Sequence, residues 1–145
     1  MPLTTDAEIA ALLKNVRTIA MIGASDRPDR ASYGVMHALQ EHGYRVFPVN
    51  PSITGETVHG EFVWRELSQI GGAIDMVDIF RRSDSVDDAV DQAIAAGAKS
   101  IWMQLGVINE AGAARAEAAG LDVVMNRCPK IEIERLQLPP VQATV

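Results

Sequence analysis

At 145 residues, with 48% hydrophobic and 22% charged side chains, the chain is long enough for one globular domain with an ordinary core and short for two. A net charge of -6 with 13 scattered basic residues argues against a nucleic-acid surface, and no apolar run reaches membrane-spanning length. The start Met1-Pro2-Leu3-Thr4-Thr5-Asp6 lacks the basic and apolar regions of a secretion signal, which implies a cytoplasmic address; the single cysteine, Cys128, excludes an intrachain disulfide framework, and His37, His42 and His59 stand at no recognisable metal-ligand spacing.

Thr5 and Glu8 have the spacing of a capping box, and Ile9, Leu12, Leu13 and Val16 then recur with helical period, which predicts an opening helix over 6–15. An apolar run from Thr18 ends at Gly23-Ala24-Ser25, and a helix is expected over 32–42, with Val35, Met36 and Leu39 on one face and Gly43 as its stop. Tyr44 to Val49 is the returning strand, so these pieces form a right-handed, parallel βαβ unit. Residues 51–60 are turn-rich, Phe62-Val63-Trp64 reads as a short extended piece, and 65–70 as a short helix before Gly71-Gly72. Strands are then expected over 76–80, 100–104 and 121–125, helices over 85–96 and 110–119, and Pro129 opens a short final helix. This alternation predicts an α/β fold in which an open parallel sheet of about five strands is covered by helices on both faces, a three-layer αβα architecture.

In such sheets ligands bind beyond the carboxyl ends of the strands, where strand order reverses. The informative residues are therefore those after each strand: Gly23 to Ser32, Asn50-Pro51, Phe80-Arg81-Arg82, Gln104-Leu105-Gly106 and Asn126-Arg127-Cys128. The small residues Gly23, Ala24 and Ser25 let main-chain N–H groups approach an anion, and the following helix aims the positive end of its dipole at the same point. A dinucleotide fingerprint fails here, because its later glycine positions hold Ser25 and Pro28 and the second strand is followed by Asn50-Pro51 rather than an acid; a P-loop is absent as well. Arg27 and Arg30 add two guanidinium forks suited to phosphate, with Ser25 and Ser32 as hydroxyls. The alternative is that Arg27 and Arg30 are solvated loop charges and Ser32 only a helix N-cap. Arg81 stands at a strand end where an anionic ligand would meet it, and Arg82 is a phosphate candidate by charge alone. Phe80 reads equally well as core, Trp102 as packing between sheet and helix, and Asp75 and Asp78 as strand-terminal or hydrogen-bonded residues rather than a catalytic pair.

The segments IAMIGASDRPDRASYGVM, GYRVFPVNP, DMVDIFR, GAKSIWMQLGV and GLDVVMNRCPK, in this order between about Val16 and Leu136, resemble the small stand-alone CoA-binding protein family, whose fold is similar to the N-terminal domain of the succinyl-CoA synthetase alpha subunit. The resemblance implies a Rossmann-like domain over 16–136 that holds coenzyme A or an acyl-CoA, with the helix 1–15 packed on it and a tail over 137–145. Carried over by position, Gly23, Ala24, Ser25, Arg30 and Ser32 would line the phosphate site and Val49, Asn50 and Pro51 would border the adenosine. Phe80 and Arg81 would flank the adenosine from the third strand, and Gln104 would sit nearer the pantetheine arm.

The synthetase also uses a phosphorylatable histidine on a separate domain and a nucleotide-binding partner subunit, and no catalytic triad is visible here, so a non-catalytic or regulatory CoA-binding role is expected. A ligase component needing a partner subunit is the alternative, ahead of a nucleotide-dependent oxidoreductase; a homodimer or another protein partner stays open. Asn126-Arg127-Cys128-Pro129 resembles the synthetase's Asn-Cys-Pro turn. If Arg127 approaches Cys128 it would lower the thiol pKa and favour a mixed disulfide with the cofactor; the plainer reading is a small, partly buried strand-end residue.

Overall fold

Thr5 opens the first helix, α1 (Asp6–Asn15), with the expected reciprocal cap: its hydroxyl accepts from the Glu8 N–H at 3.2 Å while the Glu8 carboxylate accepts from the Thr5 N–H at 3.1 Å. This is a computed structural model, and it describes residues 1–142, so the end of the expected 137–145 tail lies outside the described residues. The chain continues through β1 (Thr18–Ile22), α2 (Ala31–Glu41) and β2 (Arg45–Val49). After the ribbon strands β3 (Thr57–Val58) and β4 (Glu61–Phe62) and a 3-10 turn at Leu67–Gln69 comes β5 (Met76–Ile79). A second 3-10 turn, Ser83–Ser85, leads into α3 (Val86–Ala95), β6 (Ser100–Met103), α4 (Glu110–Ala118), β7 (Asp122–Val124) and α5 (Pro129–Arg135).

The main sheet has the order β2-β1-β5-β6-β7 with every pair parallel, which is the Rossmann-like arrangement expected. Its order reverses at β1: the chain first builds outward to β2, then returns to add β5 on the other side. Alternate strand residues feed two cores. Ala20, Ile22, Val77, Ile79, Ile101, Met103 and Val123 pack with α3 and α4, whereas Ile19, Met21, Met76, Trp102 and Val124 pack with Ile9 and Leu13 of α1, Met36 and Leu39 of α2 and Ile133 of α5. Both faces are dry because the parallel crossovers lay a helix over each.

Two local features depart from the sequence reading. The second helix begins at Ala31 with Arg30 at its N-cap, so Ser32 lies within the first turn, buried, and is not the cap. The turn-rich stretch after β2 holds an antiparallel ribbon joined by His59 (φ 49°) and Gly60 (φ 81°), a turn with two left-handed residues that matches strand twist and is usually signalled by Asn-Gly rather than His-Gly. No helix among the described residues is long and apolar enough to cross a membrane.

Candidate functional site

The carboxyl ends of the five parallel strands open into one cavity of about 1060 Å³. Residues following every strand reach it: Gly23 to Arg27 after β1, Asn50, Ser52 and Ile53 after β2, Phe80 to Arg82 after β5, Gln104 to Val107 after β6 and Cys128 after β7. Arg30, Ala31, Ser32, Gly34 and Val35 of the α2 start, and Lys130 and Ile131 of the α5 start, complete the lining.

Gly23 is where the chain leaves β1. Its φ is +86°, and an added Cβ would overlap the Phe80 carbonyl, so the glycine lets the exits of β1 and β5 close on each other. Its N–H donates to the Val49 carbonyl at 3.0 Å and is not offered to a ligand, contrary to the sequence reading. Within the turn from Gly23 to Ser32, the amides of Ala24, Ser25, Asp26 and Asp29 and, at the helix start, Ala31 and Ser32 bond to nothing among the described residues. Ser25 Oγ accepts from the Arg27 N–H at 3.0 Å, which fixes the turn. Together with the α2 dipole these amides form an anion-accepting corner.

The charges agree. Arg27, Arg30, Arg81, Arg82 and Lys130 line the cavity against one acid, Asp26, in a chain of net charge -6. Of these cations only Arg82 has an ion pair among the described residues, with Asp84 at 3.8 Å. Arg81 Nε is buried, and no described residue supplies an acceptor for it. Low-dielectric walls concentrate such a field on an incoming anion.

The other predicted residues divide. Asn50 lines the cavity, but its amide braces the loop: Nδ2 donates to the Ala24 carbonyl at 2.8 Å and Oδ1 accepts from the Ser52 N–H at 2.8 Å. Val49 is buried and Pro51 gives its carbonyl to Arg65 at 2.7 Å; neither lines the cavity. Phe80 is half-buried between the cavity and the core under α2. Gln104 is buried at the cavity floor, where its Nε2 donates to Asp78 Oδ1 at 2.9 Å. Asp78 is fully buried in mid-sheet, its Oδ2 has no hydrogen-bond partner among the described residues, and burial pushes its carboxyl up to about 7.

Cys128 lines the cavity from the N-cap of α5, buried. Burial pushes its thiol up, outweighing the N–H groups of Ile131 and Lys130, and the nearby Asp78 charge adds to the rise. Arg127 does not approach as a counter-charge: it bonds Glu132 at 2.7 Å and the Thr4 carbonyl at 3.2 Å, so the thiolate-favouring arrangement considered from the sequence is absent. Sequence reasoning did not mark Ile53, Lys130 or Ile131, which line the cavity from a loop and a helix start whose approach depends on tertiary packing. Lys130 alone carried a signal, two residues after the strand-exit cysteine.

The family described as "CoA binding domain" matches residues 17–134. The chain belongs to this family. Among curated relatives, the protein YneT of Bacillus subtilis (strain 168) is 37% identical over 125 residues, covering 86% of this chain and 91% of that protein. A hypothetical protein from Pyrococcus horikoshii OT3 has the same fold, with a TM-score of 0.88 and 39% identity over 94% of this chain and 96% of that one. The acetate–CoA ligase [ADP-forming] II subunit alpha of Pyrococcus furiosus is 30% identical over 99 residues; the match takes in 68% of this chain and 21% of the subunit. The domain is thus related to ligase subunits. Its cavity combines unbonded amides and cations with an apolar wall made by Val35, Ile53, Val107 and Ile131.

Proposed function

We propose that this chain binds coenzyme A or an acyl-CoA without chemistry of its own, holding the diphosphate at the turn between Ala24 and Ser32 and serving as a binding or regulatory protein. The observation that carries this reading is the corner of unbonded amides at the α2 start, ringed by Arg27, Arg30 and Arg81, at the point where strand order reverses. Asn50 supports it, since a neutral residue after β2 does not repel a ligand with an additional ribose phosphate as an acid would. Val49 and Pro51 act on the ligand indirectly, by setting the loop that carries Asn50. The non-catalytic part is supported by the lining: no histidine belongs to it, and its one carboxylate, Asp26, bonds to no serine or cysteine.

The test is a thermal-shift panel with CoA, acetyl-CoA, NAD, NADP and ATP, in which a ligand at about a hundredfold its Kd stabilises by about 2.7 kcal/mol. CoA or acetyl-CoA is expected to give the largest rise in Tm; an equal or larger rise with NAD overturns the reading. Arg30→Ala is expected to weaken CoA binding by about tenfold or more, the worth of a charged hydrogen bond. An unchanged Kd removes Arg30 from the site.

A second reading is favoured by the 30% identity to the ligase subunit: the domain works as one component of an acyl-CoA ligase. It requires that the native chain run in a complex with a second subunit and that ADP-forming ligase activity follow that complex. Elution as an isolated chain without such activity leaves the binding role.

A further inference from the structure

Among the described residues Asp78 is the one buried charged side chain in the sheet strands, level with Met21 of β1 and Trp102 of β6. It is fully buried, and among the described residues its carboxyl has one hydrogen bond, from Gln104 Nε2 to Oδ1 at 2.9 Å, while Oδ2 has none. The buried faces of α1 and α2 carry apolar residues such as Leu13, Met36 and Leu39, with Ser32 the one polar side chain among them; at α5 the titratable groups are Cys128 at its N-cap and the buried Glu132, which is held by Arg127 and Arg135. Gln104 separates this acid from the cavity and lines its floor beside Cys128, two strands or about 10 Å from β1 and the anion-accepting corner. An elongated ligand anchored by its diphosphate at that corner reaches Gln104 with its far end.

We infer that Asp78 is a positioning residue that decides which end of the Gln104 amide faces the ligand. As the carboxylate, Asp78 accepts from Nε2 and leaves Oε1 facing the cavity as a hydrogen-bond acceptor. As the carboxylic acid, its O–H donates to Oε1, the amide turns over, and Nε2 becomes a donor to the cavity. An acceptor serves the S–H of a free thiol; a donor serves the carbonyl of a thioester. Buried amide groups that meet the wrong partner are left unpaired, which is what makes such a contact selective. Protonation of Asp78 therefore shifts preference from the thiol toward the acylated form. The proposal rests on the CoA reading of the cavity. The position of Asp78 makes the shift accessible near neutrality, since burial raises its carboxyl to about 7.

The experiment measures Kd for CoA and for acetyl-CoA by calorimetry, from about one pH unit below that value to about one above. Both ligands carry the same phosphates, so phosphate titration cancels in the ratio of the two affinities. In the wild type the ratio is expected to move about three- to tenfold toward acetyl-CoA at the acid end, the worth of one hydrogen bond, and in Asp78→Asn to stay level. A level ratio in the wild type, or the same drift in Asp78→Asn, overturns the proposal. If the wild type binds neither ligand at either pH, the CoA reading fails, and NMR of the free wild-type protein decides the coupling by itself. The Gln104 side-chain amide resonances are expected to titrate together with the Asp78 carboxyl; amide resonances that stay still while the carboxyl titrates overturn the proposal.

Discussion

At Gly23 two demands meet on one residue: a left-handed φ of +86° and a carbonyl from Phe80 where a Cβ would stand. Either strains an L-residue, and the two do not relax together, because moving Phe80 shifts the β5 exit and the cavity wall it forms. Gly23→Ala is expected to lower the unfolding free energy by about 2–3 kcal/mol in urea with little change in m, and to weaken CoA binding in the same protein. A variant as stable as the wild type would show that this closure is looser than the geometry requires. The residues lining the cavity were legible where they follow a strand directly, as Ala24, Arg81 and Gln104 do, since strand ends converge by topology alone. Asn50 shows the limit. Its place was readable, but its bonds to Ala24 and Ser52 depend on a loop path that no local pattern records.

Helices and strands with full periodic faces were legible in type and order because each must bury its apolar stripe against the sheet, as Val86, Ala89, Val90 and Ala93 of α3 do. Their ends moved by one or two residues: the 76–80 strand stops at Ile79 and the 121–125 strand spans Asp122–Val124. The ribbon of β3 and β4 was not legible, since two residues per strand leave no alternation to detect. At α1 the local signal and the tertiary setting agree. The Thr5 cap starts a helix whose Asp6 pairs with Arg135 of α5 at 2.7 Å and whose Ile9 and Leu13 are fully buried. Thr5→Ala is expected to lower stability by about 1 kcal/mol, the worth of an N-cap, while the Kd for CoA stays unchanged because α1 lies away from the cavity. Denaturant unfolding and calorimetry on the same variant check both halves, and a changed Kd would mean that α1 supports the binding face.

Across the whole molecule, carboxylates act on stability in two opposite pH windows. Burial raises Asp78 from the ordinary 3.8 to about 7, so between those values the folded chain keeps a proton that the unfolded chain has released. Folding then binds protons, and stability falls as pH rises from about 4 to about 7, levelling above. Asp75 and Glu132 shift the other way. Burial pushes each up, but the Arg17 and Thr18 N–H groups and Lys99 outweigh it at Asp75, and Arg135 and Arg127 outweigh it at Glu132, leaving both below their ordinary 3.8 and 4.5. Their contribution is present above those ordinary values and is lost as pH falls through the lower folded ones. Stability is therefore expected to peak just above the ordinary carboxylate range and to decline toward neutrality, with a slope of up to about 1.4 kcal/mol per pH unit for one proton. Urea unfolding across this range, on the wild type and on Asp78→Asn, separates the two limbs. Asp78→Asn removes the decline toward neutrality and leaves the acid limb in place, whereas a wild-type profile that is flat between the carboxylate range and neutrality would mean that Asp78 ionises as an exposed carboxyl does.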